Sequence, residues 1–441
     1  MMESRAGLRA GAAVALLACA ALLVPLYASN PALGFVWETS SAGLAARSLV
    51  RDGDLSVREF FPGAAPGERI GYALRWRGEA LVSIEPLASI LTFAPFFALQ
   101  RASWPAVRAP DPLDARVAAE VAVLTLILLG LWLAGVAGPA RAVAAVLVIA
   151  LATSFRTIQG AGLWQHTSGS LWLAAGLLAW SRSGRTPRLY PAAGALLAVA
   201  TACRPVLVAA PLLVVVDAWR RAGPGRARAL VSLGAVAGIG GLALLANLWL
   251  HGSLLGGRVE FVESPERYAA VSSYFGFSPV HWAGLLASPN RGLFVFSPVL
   301  LFALPGLVRC LRADAPDARR WISVAGLATL FLYGFVRTWW AGSVYGPRYA
   351  SDLLPFFALW LATSPLPSRA QPLWARALWT TGFALALGFS LAVQSIGARA
   401  YPCGWNAFPA LVDDVPERVW SWRDTQIRRC LGRALKLAEG S

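Results

Sequence analysis

Apolar residues run along the chain in blocks instead of alternating with polar ones. After Arg5 and Arg9 an apolar stretch covers about 11–26, and further runs lie near 84–100, 118–136, 142–155, 165–180, 190–217, 229–250, 293–308, 321–336, 350–364 and 373–393. Between Val121 and Phe155 the one formal charge is Arg141. A bilayer core asks a helix for about 20 residues with almost no charge, so the pattern predicts an all-α polytopic membrane helix bundle of about 10–12 spans. The first stretch has the flanks of a signal peptide ending near Tyr27-Ala28-Ser29, but the many runs behind it favour an uncleaved first helix.

The connections orient the spans. Cytoplasmic loops collect Arg and Lys, so the basic connections 182–188, 220–228 and 309–320, and the N-terminus, are expected in the cytoplasm. That requires 190–217 to be two short spans meeting outside at Cys203-Arg204-Pro205. It also requires 84–100 to enter and leave on one side, where Pro86 and Pro95 would break a helix. The alternative makes 190–217 one long tilted helix and 84–100 a true span, which leaves Arg182, Arg185 and Arg188 outside. In the first arrangement residues 1–393 form one membrane domain with a first external loop at 28–83, carrying juxtamembrane helices, and a second at 251–290. A Trp- and Arg-rich tail, 394–441, follows on the external side, and no fixed-period repeat or interdomain linker appears.

Composition agrees with the pattern: 57% of residues are hydrophobic, 14% charged, and mean hydropathy is +0.57. A soluble domain carries about 25% charged residues, so a soluble, disordered or collagen-like chain is excluded. The net charge of +16 is basic enough for nucleic acid, but no basic patch with interleaved aromatics is present. Arginine in cytoplasmic loops accounts for the charge, and Lys436 is the one lysine. Five cysteines without a CxxC and three scattered histidines give no zinc cluster. Cys403 and Cys430, in the polar tail, could pair if that tail lies outside the cytoplasm.

Acidic residues are scarce and uneven. Glu38, Asp52, Asp54, Glu59, Glu68, Glu79 and Glu85 place seven of the 23 acids in the first external loop and its margins. Four of these read equally well as ordinary loop charge, but Glu38 and Glu85 sit at the membrane boundary, where a carboxylate is costly unless paired or functional. From Trp37 to Gly53 the spacing predicts a short amphipathic helix, with Ala42, Ala45, Ala46, Leu49 and Val50 laid on the membrane surface.

At these residues the sequence resembles the GT-C class of membrane glycosyltransferases, in the branch of protein mannosyltransferases and aminoarabinose transferases that use polyprenyl-phosphate sugars. An acidic residue, a short surface helix containing Arg, then Gly-Asp in the first external loop is matched by Glu38, Arg47 and Gly53-Asp54; the family residue is usually Asp where this chain has Glu38. Glu85-Pro86 fits the end of that loop without the usual Lys and double proline. Arg204 fits a cation after an intramembrane half-helix. Ser288-Pro289-Asn290-Arg291-Gly292-Leu293-Phe294 and Thr338 to Tyr349 resemble motifs of uncharacterised bacterial members.

The resemblance implies a multi-pass protein of the bacterial cytoplasmic membrane that moves a sugar from polyprenyl phosphate to an envelope lipid, glycan or protein acceptor on the outer face. Catalytic candidates are Glu38, Asp54 and Glu85. A donor phosphate needs cations with several donors, and Arg204, Arg348 and Arg291 are the candidates; their alternative role is interfacial snorkelling. His166, Trp340 and Tyr345 are candidates for substrate binding, against satisfied interfacial side chains and the aromatic belt. No obligatory cofactor is implied, although some relatives use a divalent metal ion. Two other classes stay open: a lipid or polysaccharide transporter or flippase, which calls for ionisable groups inside the spans and symmetric halves, and a non-catalytic scaffold of the same fold.

Overall fold

A computed structural model describes residues 16, 18–29, 37–100, 112–221, 226–254, 256–257, 275–313 and 317–439. Arg5 and Arg9 ahead of the first run, and positions 258–274 of the second external loop, lie outside the described residues.

The described chain is mostly helical: α1 (Ala18–Ala28), α2 (Trp37–Arg51), α3 (Leu87–Leu99), α4 (Pro112–Ala137), α5 (Pro139–Ala152), α6 (Gln165–Ser183), α7 (Leu189–Cys203), α8 (Ala209–Arg221), α9 (Ala227–His251), α10 (Pro279–Ala287), α11 (Pro298–Leu311), α12 (Ala318–Tyr333), α13 (Leu354–Thr363), α14 (Leu373–Ala400) and α15 (Gln426–Glu439). By length and hydropathy α4, α9 and α14 can each cross a membrane. The other apolar runs are shorter because their sequences interrupt them. Pro205 breaks 190–217, Pro298 and Pro305 break the run after Phe296, and α6 opens on the polar turn Gln165-His166-Thr167-Ser168. α4 lies deep in the bundle. Only 11% of the apolar window of α9 is buried, with Leu242, Leu245 and Trp249 on its outer surface. Apolar surface on that scale suits lipid, not water.

Two ends of the bundle are distinct. At one end Trp180 of α6 and Tyr190 of α7 donate to Asp217 of α8 at 2.8 and 3.1 Å, and Arg221 donates to the same carboxylate at 2.7 Å. Arg141 and Arg309 cover the carbonyls that end α13. The three basic connections therefore gather at one end, and α7 and α8 are antiparallel, meeting at Arg204 at the other. This is the two-helix form of 190–217. Arg204, which precedes a proline, is extended (φ −144, ψ 95), the conformation that position enforces. At the Arg204 end Ser89 of α3 lies 2.8 Å from Ser168, and Gln100 just past α3 donates to Glu120 near the start of α4. Both ends of α3 thus stay on this side of the bundle.

α2 forms where the spacing placed it and stops at Gly53, whose φ is +79. Its apolar face differs from expectation. Ala42, Ala45 and Ala46 are fully buried against α3 and α4 in a protein core, and not laid on a membrane surface. The small side chains let α2 approach closely: a Cβ on Gly43 would lie 2.6 Å from Asp114, which instead receives Arg47 at 2.5 Å. The first loop also holds an unforeseen hairpin, β1 (Leu74–Arg77) and β2 (Ala80–Ser83), in which Arg77 pairs with Ala80. Gly78 at φ +57 supplies the left-handed residue that a two-residue turn requires. Leu23 and Tyr27 of α1 pack into the main core, with the Tyr27 hydroxyl on the Ala150 carbonyl at 2.6 Å.

The tail is a folded cap. α14 continues to Ala400, so the chain leaves the bundle six residues beyond Gln394, and the segment that follows is pinned by a Cys403–Cys430 disulfide.

Candidate active site

At the Arg204 end, side chains from five distant segments converge. Glu38 opens α2, where a carboxylate suits the positive helix N-terminus, and Arg348 Nη1 reaches it at 2.8 Å across 310 positions of sequence. The pair is nearly enclosed, with side-chain exposures of 13% and 8%. Arg348 also lies over two rings, 4.7 Å from the centre of Trp164 and 5.4 Å from that of Tyr349. Arg204 lies 5.0 Å from the same Tyr349 centre. The two guanidinium groups are therefore separated by no more than the sum of those distances.

Arg204 is held by an acid that the sequence reading overlooked. Its Nε donates to Asp352 at 2.8 Å, Nη2 donates to the Tyr333 hydroxyl at 3.1 Å, and Nη1 reaches Gln165 at 3.4 Å. Asp352 also meets His166 Nδ1 at 2.8 Å and accepts the Tyr333 hydroxyl. With Nδ1 carrying its proton towards the carboxylate, the imidazole keeps Nε2 as an acceptor. Tyr333 and Tyr349 stack at 5.5 Å and complete an aromatic wall. Asp352 is the one acid between Asp317 and Asp413 and stands beside the apolar run of α13. By the same scarcity that singled out Glu38, it was legible.

Glu85 is buried at the end of β2, its backbone N–H on Ser83 Oγ. Ser83 donates to Ser41, and Ser41 donates to the Glu38 carbonyl, so the hairpin is pinned to the first turn of α2.

Four candidates stand elsewhere. Asp54 is exposed and accepts from Ser48 Oγ and the Ser56 N–H, both at 2.9 Å, which closes the turn after α2. Arg291 is fully committed: Nε donates to Trp340 O, Nη1 to Asn290 O and Gln426 Oε1, and Nη2 to Gly342 O and Asn406 Oδ1, all within 3.0 Å. No N–H remains for a phosphate, and burial pulls this guanidinium down to about 10. Trp340 points its indole N–H at Asp413, and Tyr345 is a buried wedge bonded to the Val393 carbonyl and packed on Phe296.

These residues explain the two longer motifs. Ser288 and Asn290 bind the tail carbonyls of Arg418, Val419 and Ser421, while Gln426 binds the Gly346 N–H and the Val344 carbonyl. Ala341, Gly342 and Gly346 all have positive φ, and a Cβ on Gly346 would meet Phe296 at 2.7 Å. Arg291 and Gln426 therefore clasp a bent loop whose end presents Arg348. They position it and do not reach the cluster.

No protein-family model matches the chain, and no curated protein matches it. Among the described residues no three His, Cys, Asp or Glu side chains come together as a metal site. Glu38 and Asp352 each face an arginine, so the cluster does not fit a divalent cation.

Proposed function

We propose that the protein is an integral-membrane glycosyltransferase, GT-C-like in fold, that transfers a sugar from a polyprenyl-phosphate donor to an envelope acceptor at the membrane face where Arg204 and Arg348 lie. The observation that carries this reading is the convergence of two arginines and a carboxylate, drawn from positions 38, 204 and 348, around one aromatic wall at one end of an apolar bundle. A polyprenyl-phosphate sugar is itself an apolar tail, an interfacial anion and a polar ring, and each part has a counterpart there.

In this reading Arg204 and Arg348 take the donor phosphate. A guanidinium keeps its charge and offers a fork of donors, so it stabilises the phosphate as it leaves. Glu38 is paired with Arg348 in the resting state. As phosphate engages Arg348, the carboxylate is loosened and accepts the proton of the acceptor hydroxyl while that oxygen attacks the anomeric carbon from the face opposite the phosphate, giving inversion. Asp352 holds Arg204 and His166 in place, and Trp164 and Tyr349 flank the sugar. The external position of this face is supported by the basic connections at the opposite end and by the disulfide in the tail, which belongs to an oxidising compartment.

His166 gives a second reading of the base. Its Asp352 partner fixes the tautomer that leaves Nε2 free to take a proton. Purified protein in proteoliposomes, supplied with a panel of radiolabelled polyprenyl-phosphate sugars and envelope acceptors, tests the whole proposal. Release of polyprenyl phosphate with label in the acceptor is expected. Movement of intact donor across the bilayer without release identifies a flippase, and inertness with every donor identifies a scaffold; either overturns the enzyme.

A further inference from the structure

α15 has two unlike faces, and they fit a membrane surface. Cys430, Ile427 and Ala434 pack with Val393, Ile396 and Ala400 on the last two turns of α14. α14 has 28 residues and is about 42 Å long, longer than a hydrocarbon core of about 30 Å, so its ends reach headgroup depth. Beyond the packed strip the apolar arc of α15 continues through Leu431 and Leu435, exposed by 42% and 56%. Arg428 and Lys436 are exposed on the adjoining arc, and Trp422 just before the helix is 69% exposed, whereas Arg433 lies on the opposite flank and donates to the Pro402 carbonyl. Arg429, by contrast, is turned inward to Asp424. An amphipathic helix with cations bordering its apolar edge and a tryptophan at its start is the form that lies in a lipid interface.

We propose that α15 is an anionic-lipid docking helix. Leu431 and Leu435 enter the acyl boundary beside α14, and Arg428 and Lys436 bind the phosphates of acidic phospholipids. Charge complementarity and attachment to the end of a membrane-length helix select this partner over a protein. The inference needs a bilayer around α14 and does not depend on glycosyl transfer.

The test uses the full-length protein in nanodiscs of phosphatidylcholine alone or with one quarter phosphatidylglycerol. A nitroxide is placed at Leu435→Cys in a Cys19→Ala background; Cys203 and Cys310 are buried, so the label goes to the new thiol. Labels at Leu378→Cys on the outer surface of α14 and at Arg77→Cys in the hairpin serve as lipid and water controls. Collision with oxygen relative to a water-soluble nickel complex should shift to the lipid control when phosphatidylglycerol is present. Each cation near an anionic surface strengthens docking roughly fivefold, so Arg428→Glu and Lys436→Glu together should return the label towards the water control. A label that matches the water control in both compositions overturns the proposal. A lipid-like value that ignores both phosphatidylglycerol and charge reversal overturns the anionic-headgroup part.

Discussion

Removal of Asp352 is the sharpest perturbation of the cluster. The carboxylate is 1% exposed and accepts from Arg204, His166 and Tyr333. Asp352→Ala leaves the Arg204 guanidinium, its side chain only 14% exposed, with Tyr333 and Gln165 for partners. Breaking a buried ion pair from one side costs about 3–5 kcal/mol, and the slight exposure of Arg204 places this pair near the lower figure. Replacing both partners with apolar residues of similar size, Asp352→Leu with Arg204→Met, removes the stranded charge and should recover about 2 kcal/mol or more of that loss. Thermal unfolding in detergent, followed by a thiol-reactive dye, reports this directly, because Cys203 and Cys310 are fully buried in the folded protein. The expected order of stability is wild type or the double variant first and Asp352→Ala last. Losses from Asp352→Leu and Arg204→Met singly that add to the loss of the double variant within about 0.5 kcal/mol would show that the two side chains are not coupled and refute the reasoning.

Other consequences are independent of the cluster. A Cβ on Gly306 would lie 1.8 Å from the Trp360 carbonyl oxygen, so Gly306→Ala must part α11 from α13 and should cost about 3 kcal/mol in the same unfolding assay. Asp217→Asn strips the anion from Arg221, Trp180 and Tyr190 at the basic end of the bundle; a loss of about 3 kcal/mol with unchanged turnover per folded molecule is expected. Cys403→Ser opens a loop closed over 27 positions, worth about 3.5 kcal/mol by chain entropy. Trypsin should then cut the tail near Arg418 and Arg423 much faster than in wild type, and reductant should reproduce the effect.

Much of the framework was legible because it follows from one-dimensional rules. Long uncharged runs gave the helices, Pro205 divided α7 from α8, and Gly53 ended α2. Sequence chemistry also selected Glu38, Arg204, Arg348 and His166, four of the side chains that the fold gathers. The misses share a cause: they depend on which partner a residue meets. Arg291 looks like Arg348 in sequence, yet it is consumed by five neutral acceptors, three of them backbone carbonyls. Ala42, Ala45 and Ala46 have the period of a surface helix, and only the approach of α3 and α4 makes them a core. The hairpin around Gly78-Glu79 carries a turn signal, but its strands have only four residues each, too few for the alternation of Leu74, Trp76, Leu81 and Ser83 to stand out from loop sequence. Asp352 carried the same signal as Glu38 and belonged with it from the start.

In the proposed reaction the Glu38–Arg348 pair works as base and phosphate ligand together. Steady-state transfer from a matched polyprenyl-phosphate sugar, measured for wild type, Glu38→Gln and Arg348→Lys in the same proteoliposomes, tests it most directly. Loss of a positioned base lowers kcat by about 10²–10⁴, so Glu38→Gln should fall by at least a hundredfold with donor KM nearly unchanged, while Arg348→Lys should raise donor KM. Glu38→Gln turning over at the wild-type rate would contradict the account.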